Sequence, residues 1–208
     1  MPEPITLSDD ATLAANAAGV EAALLSPDAS SNTQPTAAPK HRPTLRFLLS
    51  HPAHFIALGA GSGLSPVAPG TAGTLWAWLA YVVLSNWLSP AGWGWVIAAG
   101  LPIGWWACTV AARNARLQDP GFIVWDEVIA FWIILWLLTP ASGWLQLLAF
   151  ALFRWLDAAK PGPVGWADQR FKGEGWRGGF GIVFDDLVAA FGTLLILAVA
   201  LRIWPGLR

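Results

Sequence analysis

Charged residues and cysteine are both scarce in this sequence. Only 12% of its 208 residues are Asp, Glu, Lys or Arg, whereas soluble domains carry about 25%. The net charge of −1 provides no basic field that would attract a nucleic acid, so no nucleic-acid partner is expected. The single cysteine, Cys108, excludes an intramolecular disulfide and a cysteine-rich metal site.

Apolar and aromatic residues dominate instead. The chain is 55% hydrophobic, contains 15 tryptophans and has a mean hydropathy of +0.51, which is typical of membrane proteins. The predicted fold class is therefore all-α, a polytopic membrane helical bundle. Several of the apolar segments are shorter than the ~20 residues of an upright span, so some are expected to be tilted or re-entrant. The segments lie at about 74–89, 91–112, 122–139, 143–157 and 185–204.

The N-terminal part of the chain has a different composition. Residues 1–40 are rich in Ala, Ser, Pro, Thr and Asn and contain no aromatic residue. Such a segment cannot bury enough apolar surface to fold by itself. We therefore predict a disordered polar tail over 1–40 and a helical membrane domain over 41–208.

The distribution of basic residues predicts the orientation of the bundle. The connections at 85–95 and 137–144 carry no Lys or Arg, whereas basic residues occur within 40–74, 113–121 and 157–184. The positive-inside rule places these three basic segments in the cytoplasm. We therefore expect a multi-pass membrane protein whose basic face is cytoplasmic.

Five acidic residues fall near that same face. Asp126 and Glu127 lie in the first turns of the third apolar segment, Asp157 ends the fourth, and Asp185 and Asp186 begin the fifth. A charged carboxylate in a lipid-facing helix costs about 2.5–3.5 kcal/mol near the bilayer centre. A location inside the bundle around Mg²⁺ would offset this cost, since carboxylate oxygens are natural ligands of that ion. The alternative is that these acids cap helices and pair with the basic loops.

Basic and hydroxyl side chains on the same side suit a phosphate. Arg154 can form bidentate bonds to a phosphate and Lys160 can act as a point charge, although both could instead anchor the chain to anionic headgroups. The Gly-rich loop "GAGSGLSPVAPGTAG" adds the hydroxyl donors Ser62, Thr71 and Thr74 and leads into a helix N-terminus that would face an anion. It lacks the G-K-[ST] of a P-loop.

Four ordered motifs make this sequence resemble the phosphatidylglycerophosphatase A family of bacterial membrane lipid phosphatases. They are "GSGLSPVAPGTAGTL", "DPGFIVWDE", "RWLDAAKPGP" and "GGFGIVFDD". The resemblance implies an all-helical fold in the bacterial inner membrane, with a cytoplasmic active site. It also implies Mg²⁺-dependent removal of the terminal phosphate of phosphatidylglycerophosphate in phospholipid synthesis, and no obligate protein partner. By motif, the catalytic and metal-binding residues are Asp126, Glu127, Asp157, Asp185 and Asp186, with Thr71, Arg154 and Lys160 in support.

Two positions depart from the family pattern. Ala130 and Ala190 stand where the family usually has glycine, which removes no functional group.

The residues themselves limit the phosphatase chemistry. The three histidines all precede the first apolar segment, and the chain contains neither Cys-x₅-Arg nor D-x-D. Metal-assisted attack by water, with one carboxylate as general base, is then the favoured route, and a covalent phospho-aspartate is the alternative. Two other functions compete with hydrolysis: a small cation- or proton-coupled membrane transporter that uses the buried acids, and a non-enzymatic membrane scaffold.

Overall fold

A computed structural model describes residues 42–171, 173, 175–204 and 206. Within these residues the chain is all-α and contains no strand, as predicted. The predicted disordered tail over 1–40 lies outside the described residues. A 3₁₀ segment, Gly59–Leu64, follows the second helix. The helices are α1 (Leu45–Leu49), α2 (Pro52–Ala57), α3 (Pro69–Leu84), α4 (Pro90–Ala115), α5 (Trp125–Leu138), α6 (Gly143–Ala159), α7 (Pro163–Arg170) and α8 (Gly175–Ile203).

Each of the five apolar segments forms a helix, but only two helices in the described part of the chain are long and apolar enough to cross a membrane. These are α4 and α8. The others are shorter: α5 has 14 residues, about 21 Å of helix. The number of spans that cross the bilayer therefore stays a prediction.

Helix α5 lies at the centre of the bundle. It packs against α3, α4, α6 and α8, and Val128, Phe131 and Ile134 are fully buried. Its first turn is held from three sides. The Trp125 Nε1 donates to the Gly100 carbonyl of α4 at 3.1 Å, the Val124 N–H donates to the Ala57 carbonyl of α2 at 2.9 Å, and Gly73 of α3 faces Val124. The acidic start of α5 is thus surrounded by protein.

Helix α8 begins ten residues earlier than the sequence predicts. Its first turns contain glycines, whose low helix propensity favours a loop. Here these glycines permit close packing: a side-chain carbon at Gly178 would meet the Gly173 backbone, one at Gly179 would meet Thr109 of α4, and one at Gly181 would meet the Phe171 backbone. Tertiary packing therefore overrides propensity, and Asp185 and Asp186 lie well inside the helix rather than at its start.

Candidate active site

Three buried carboxylates converge between α5 and α8. Asp126 and Glu127 come from the first turn of α5, and Asp186 comes from the interior of α8. One carboxylate oxygen from each lies within 4.8 Å of the other two. Asp126 and Glu127 are each 9% exposed and Asp186 is 2% exposed. We call these three residues the carboxylate triad. Five acids were predicted at one site inside the bundle, and the structure brings these three together.

The triad holds oxygens that the protein does not satisfy. Asp126 Oδ1, Glu127 Oε2 and Asp186 Oδ2 are buried and find no hydrogen-bond partner among the described residues. A buried polar atom without a partner costs about 1–3 kcal/mol, more if it is charged, and three neighbouring carboxylates also repel one another. A divalent cation would relieve both penalties, and an all-oxygen donor set suits Mg²⁺. The residues present therefore fit the ion that the resemblance implies.

Asp157 and Arg154 connect α6 to the triad. The Arg154 Nη1 donates to Asp157 Oδ2 at 2.7 Å and lies 3.6 Å from Glu127 Oε1. The Asp157 carboxyl is also close enough to Asp186 for the two groups to interact electrostatically. Arg154 Nε is buried and has no partner among the described residues. Arg154 therefore neutralises part of the charge of the acidic cluster, and its Nε–H stays available to a ligand.

Asp185 turns away from the triad. Neighbouring residues on a helix point about 100° apart, and the Asp185 Oδ2 accepts a hydrogen bond from Lys160 Nζ at 2.7 Å. Lys160 also donates to Asp168 Oδ1 on α7. Burial alone would lower the pKa of the Lys160 ammonium, but its hydrogen bonds to Asp168 and Asp185 raise that pKa above its ordinary value. The lysine therefore stays charged between two carboxylates.

Asp168 was not predicted as a site residue. It lies in a segment that the sequence marks only as a basic cytoplasmic loop, and α7 was not predicted there. The prolines at 161 and 163 were the sequence feature that could have indicated α7, because proline can begin a helix but not continue one. Asp168 follows them within two turns on α7.

The predicted hydroxyl donors differ in their surroundings. Ser62 donates to the Gly59 carbonyl at 2.9 Å, and the fully buried Thr74 donates to the Gly70 carbonyl at 2.9 Å. Their hydroxyl hydrogens are therefore already used, and their phosphate-binding role stays a prediction. Thr71 is half-buried at the start of α3, next to Gly70, which lies directly against the Glu127 carboxylate and Arg154.

The chain also matches known proteins. The family model described as phosphatidylglycerophosphatase A matches residues 55–201. The chain belongs to the phosphatidylglycerophosphatase A family. It is 38% identical to phosphatidylglycerophosphatase A of Escherichia coli over 173 residues, covering 82% of this chain and 96% of the relative. It is 33% identical to the protein of that name from Haemophilus influenzae, covering 79% and 98%.

A third relative has a different name. A protein of Bacteroides thetaiotaomicron with the provisional name phosphatidylinositol-3-phosphatase is 36% identical over 151 residues, covering 70% of this chain and 91% of the relative. No solved structure matches the chain significantly.

Membership of the phosphatidylglycerophosphatase A family makes this chain an enzyme, a phosphatase. The two long apolar helices and the bacterial relatives indicate a membrane protein. The four motifs that carry the resemblance meet in space, since Gly70, Glu127, Arg154 and Asp186 come from one motif each and all lie at the acidic cluster.

Proposed function

We propose that this chain hydrolyses the terminal phosphomonoester of phosphatidylglycerophosphate, giving phosphatidylglycerol and phosphate in phospholipid biosynthesis, and that the reaction depends on Mg²⁺. The observation that carries this proposal is the carboxylate triad, buried and incompletely satisfied, beside an arginine with a spare donor. The names of the first two relatives support the substrate and favour hydrolysis over the transporter alternative.

The residues of the site divide the chemistry among them. Asp126, Glu127 and Asp186 would hold Mg²⁺, which when bound neutralises phosphate charge and lowers the pKa of a coordinated water. Arg154 donates from its free Nε to a phosphate oxygen, and its pairing with Asp157 and Glu127 fixes the guanidinium plane.

A proton acceptor and a second cation complete this scheme. Asp157 is only partly buried and is held by Arg154, so we assign it as the base that accepts the proton of the attacking water. Lys160 breaks its ion pair with either Asp168 or Asp185 and contacts the substrate phosphate as a point charge.

We also propose a multi-pass arrangement in the bacterial inner membrane with this site facing the cytoplasm, and activity without an obligate protein partner. The basic segments at 113–121 and 157–184 support that orientation. The substrate is a membrane lipid, so a site near the membrane surface can receive its headgroup without extracting it from the bilayer.

The test is phosphate release by purified protein reconstituted in vesicles. We expect release from phosphatidylglycerophosphate with Mg²⁺, little release with EDTA, and a loss of about 100-fold or more in Asp186→Asn. Asn86→Ala, an exposed site beyond the end of α3, is the control and should match the wild type. Vesicles with phosphatidylinositol 3-phosphate test the alternative substrate. The proposal is wrong if phosphatidylglycerophosphate is not hydrolysed, or if Asp126→Asn and Asp186→Asn both keep normal turnover.

A further inference from the structure

An open groove lies beside the site, between α4, the end of α7 and the start of α8. Its volume is about 470 Å³, and we call it the aromatic–arginine groove. The Trp105 Nε1 donates to the Trp176 carbonyl at 2.7 Å, which fastens α4 to the start of α8 along this groove. The groove is lined by Trp105, Arg170, Phe171, Trp176, Arg177 and Phe180.

The aromatic side chains of this groove are typical of a membrane surface. Trp105 is 37% exposed and Trp176 is 54% exposed, and tryptophan is enriched where a bilayer meets water. Their rings form one packed set with Phe171 and Phe180, with centroids 5.2–5.7 Å apart. Such a rigid apolar wall suits the glycerol backbone and first methylenes of a lipid better than it suits a soluble anion.

The two guanidinium groups give the groove a positive charge. Neither Arg170 nor Arg177 takes part in an ion pair in the described part of the chain. Arg170 lies over the Phe171 ring, 5.9 Å from its centroid, and the Arg177 Nη2 donates to the Arg170 carbonyl at 3.2 Å. These contacts tie the Arg177 side chain to the Arg170 backbone and the Arg170 side chain to Phe171. Two guanidinium groups that line one groove are suited to a phosphate oxyanion.

The groove adjoins a cavity whose wall includes the two carboxylates that hold Lys160. Phe171 lines both the groove and a cavity of about 180 Å³ whose wall includes Asp119, Asp168 and Asp185. Asp168 and Asp185 are the two carboxylates to which Lys160 donates. Asp185 lies eight residues beyond Arg177 on α8, about 12 Å along the helix axis and about 80° around it. An arginine side chain and a glycerol phosphate arm together cover a distance of that order.

We infer that the aromatic–arginine groove binds the phosphodiester of the lipid substrate, while the terminal phosphate of the same molecule reaches past Phe171 to Lys160. This inference rests on the proposed function and adds to it a determinant of substrate selection. A lipid with a diester as well as a terminal phosphate contacts Arg170, Arg177 and Lys160 together. A lipid whose terminal phosphate is attached directly to diacylglycerol, as in phosphatidic acid, reaches one of the two sites only.

The test compares two substrates in neutral detergent micelles, where no bulk anionic lipid is present. In the double variant Arg170→Gln/Arg177→Gln, we expect the kcat/KM for phosphatidylglycerophosphate, relative to that for phosphatidic acid, to fall about tenfold or more, mostly through KM. Arg202→Gln is the matched control, because it makes the same change at an exposed arginine near the far end of α8. It should leave the ratio unchanged.

Binding without turnover separates this inference from the proposed function. Phosphatidylglycerol carries the diester but no terminal phosphate, so wild-type protein should bind it in micelles more tightly than diacylglycerol, and the double variant should lose that preference. If this preference is present and depends on the arginines but phosphatidylglycerophosphate is not hydrolysed, the groove stands and the proposed function fails. The inference is wrong if hydrolysis is normal but the double variant changes neither the ratio of the two kcat/KM values nor the binding preference for phosphatidylglycerol. It is also wrong if the double variant lowers kcat/KM equally for both substrates.

Discussion

Replacing Gly70 by alanine tests how closely α3 fits against the acidic cluster. A methyl group at this position would collide with the Glu127 carboxylate and approach the Arg154 guanidinium. Alanine favours a helix over glycine by up to ~1 kcal/mol, but overpacking a tight site costs about 1–3 kcal/mol. The collision therefore outweighs the gain, and Glu127 must shift. A displacement of about 1 Å at a catalytic centre can reduce turnover about 100-fold.

The control is the same substitution at Gly143. Gly143 begins α6, and a side-chain carbon there would meet nothing within 4 Å. Gly143→Ala should therefore keep normal phosphate release and an equal or slightly higher melting temperature. Both variants should be compared at equal amounts of folded protein, measured by circular dichroism and size-exclusion chromatography.

A compensating change sharpens this prediction. Glu127→Asp shortens the side chain by one methylene and should itself lower turnover. Combined with Gly70→Ala, it makes room for the new methyl, so the loss in the double variant should be smaller than the product of the two single losses. Normal turnover in Gly70→Ala would show that Glu127 is not held by α3. Simple multiplication of the two losses would show that Gly70 and Glu127 act independently.

Three further predictions follow from the network and from the sequence. Lys160→Met removes the cation that Asp168 and Asp185 share, so it should lower the free energy of unfolding by about 1–3 kcal/mol. Thermal melting measures this change, and an unchanged melting midpoint would contradict the role of Lys160. A single cysteine at exposed Gln169, in a Cys108→Ala background, should react with impermeant reagents from the cytoplasmic side only, and labelling only from outside would reverse the topology. Deletion of residues 2–38 should leave vesicle activity largely intact, and a loss at equal membrane abundance would assign that segment a role.

Hydrophobic pattern and motif were enough to predict the five long helices and the acidic cluster. Each of the five apolar segments corresponds to one long helix, because a helix in a bundle is stabilised by burying its apolar residues. The prediction of one shared site for acids far apart in the sequence depended on placing Asp126, Glu127 and Asp186 on one side of the bundle. The structure brings these three together.

Local pattern could not predict how the acids are divided. Asp185 and Asp186 are neighbours with the same chemistry, and only the packing of α8 decides that Asp186 joins the triad while Asp185 meets Lys160. The predicted start of α8 was wrong for the same reason, since the sequence does not show that Gly179 packs against Thr109. Both features depend on contacts between residues that are distant along the chain.

The charge balance of the site leads to a last prediction, on stability. Two cations, Arg154 and Lys160, face six carboxylates in this network, the five predicted acids and Asp168. The protein's own cations pair with Asp157 and Asp185, and among the described residues no ion pair reaches Asp126 or Asp186. An ion that binds only the folded state stabilises it by about 2.7 kcal/mol at 100 times its Kd. Mg²⁺ should therefore raise the melting temperature of the wild type above that in EDTA.

Asp186→Asn provides the contrast for that measurement. The substitution nearly preserves shape while it removes one charge from the triad, so in EDTA the variant should melt at the same temperature as the wild type or higher, because like-charge repulsion is relieved. Adding Mg²⁺ should shift its melting temperature less than that of the wild type, because one ligand is lost. A wild type that is insensitive to Mg²⁺, or equal shifts in the two proteins, would show that the unsatisfied oxygens of the triad do not bind a cation.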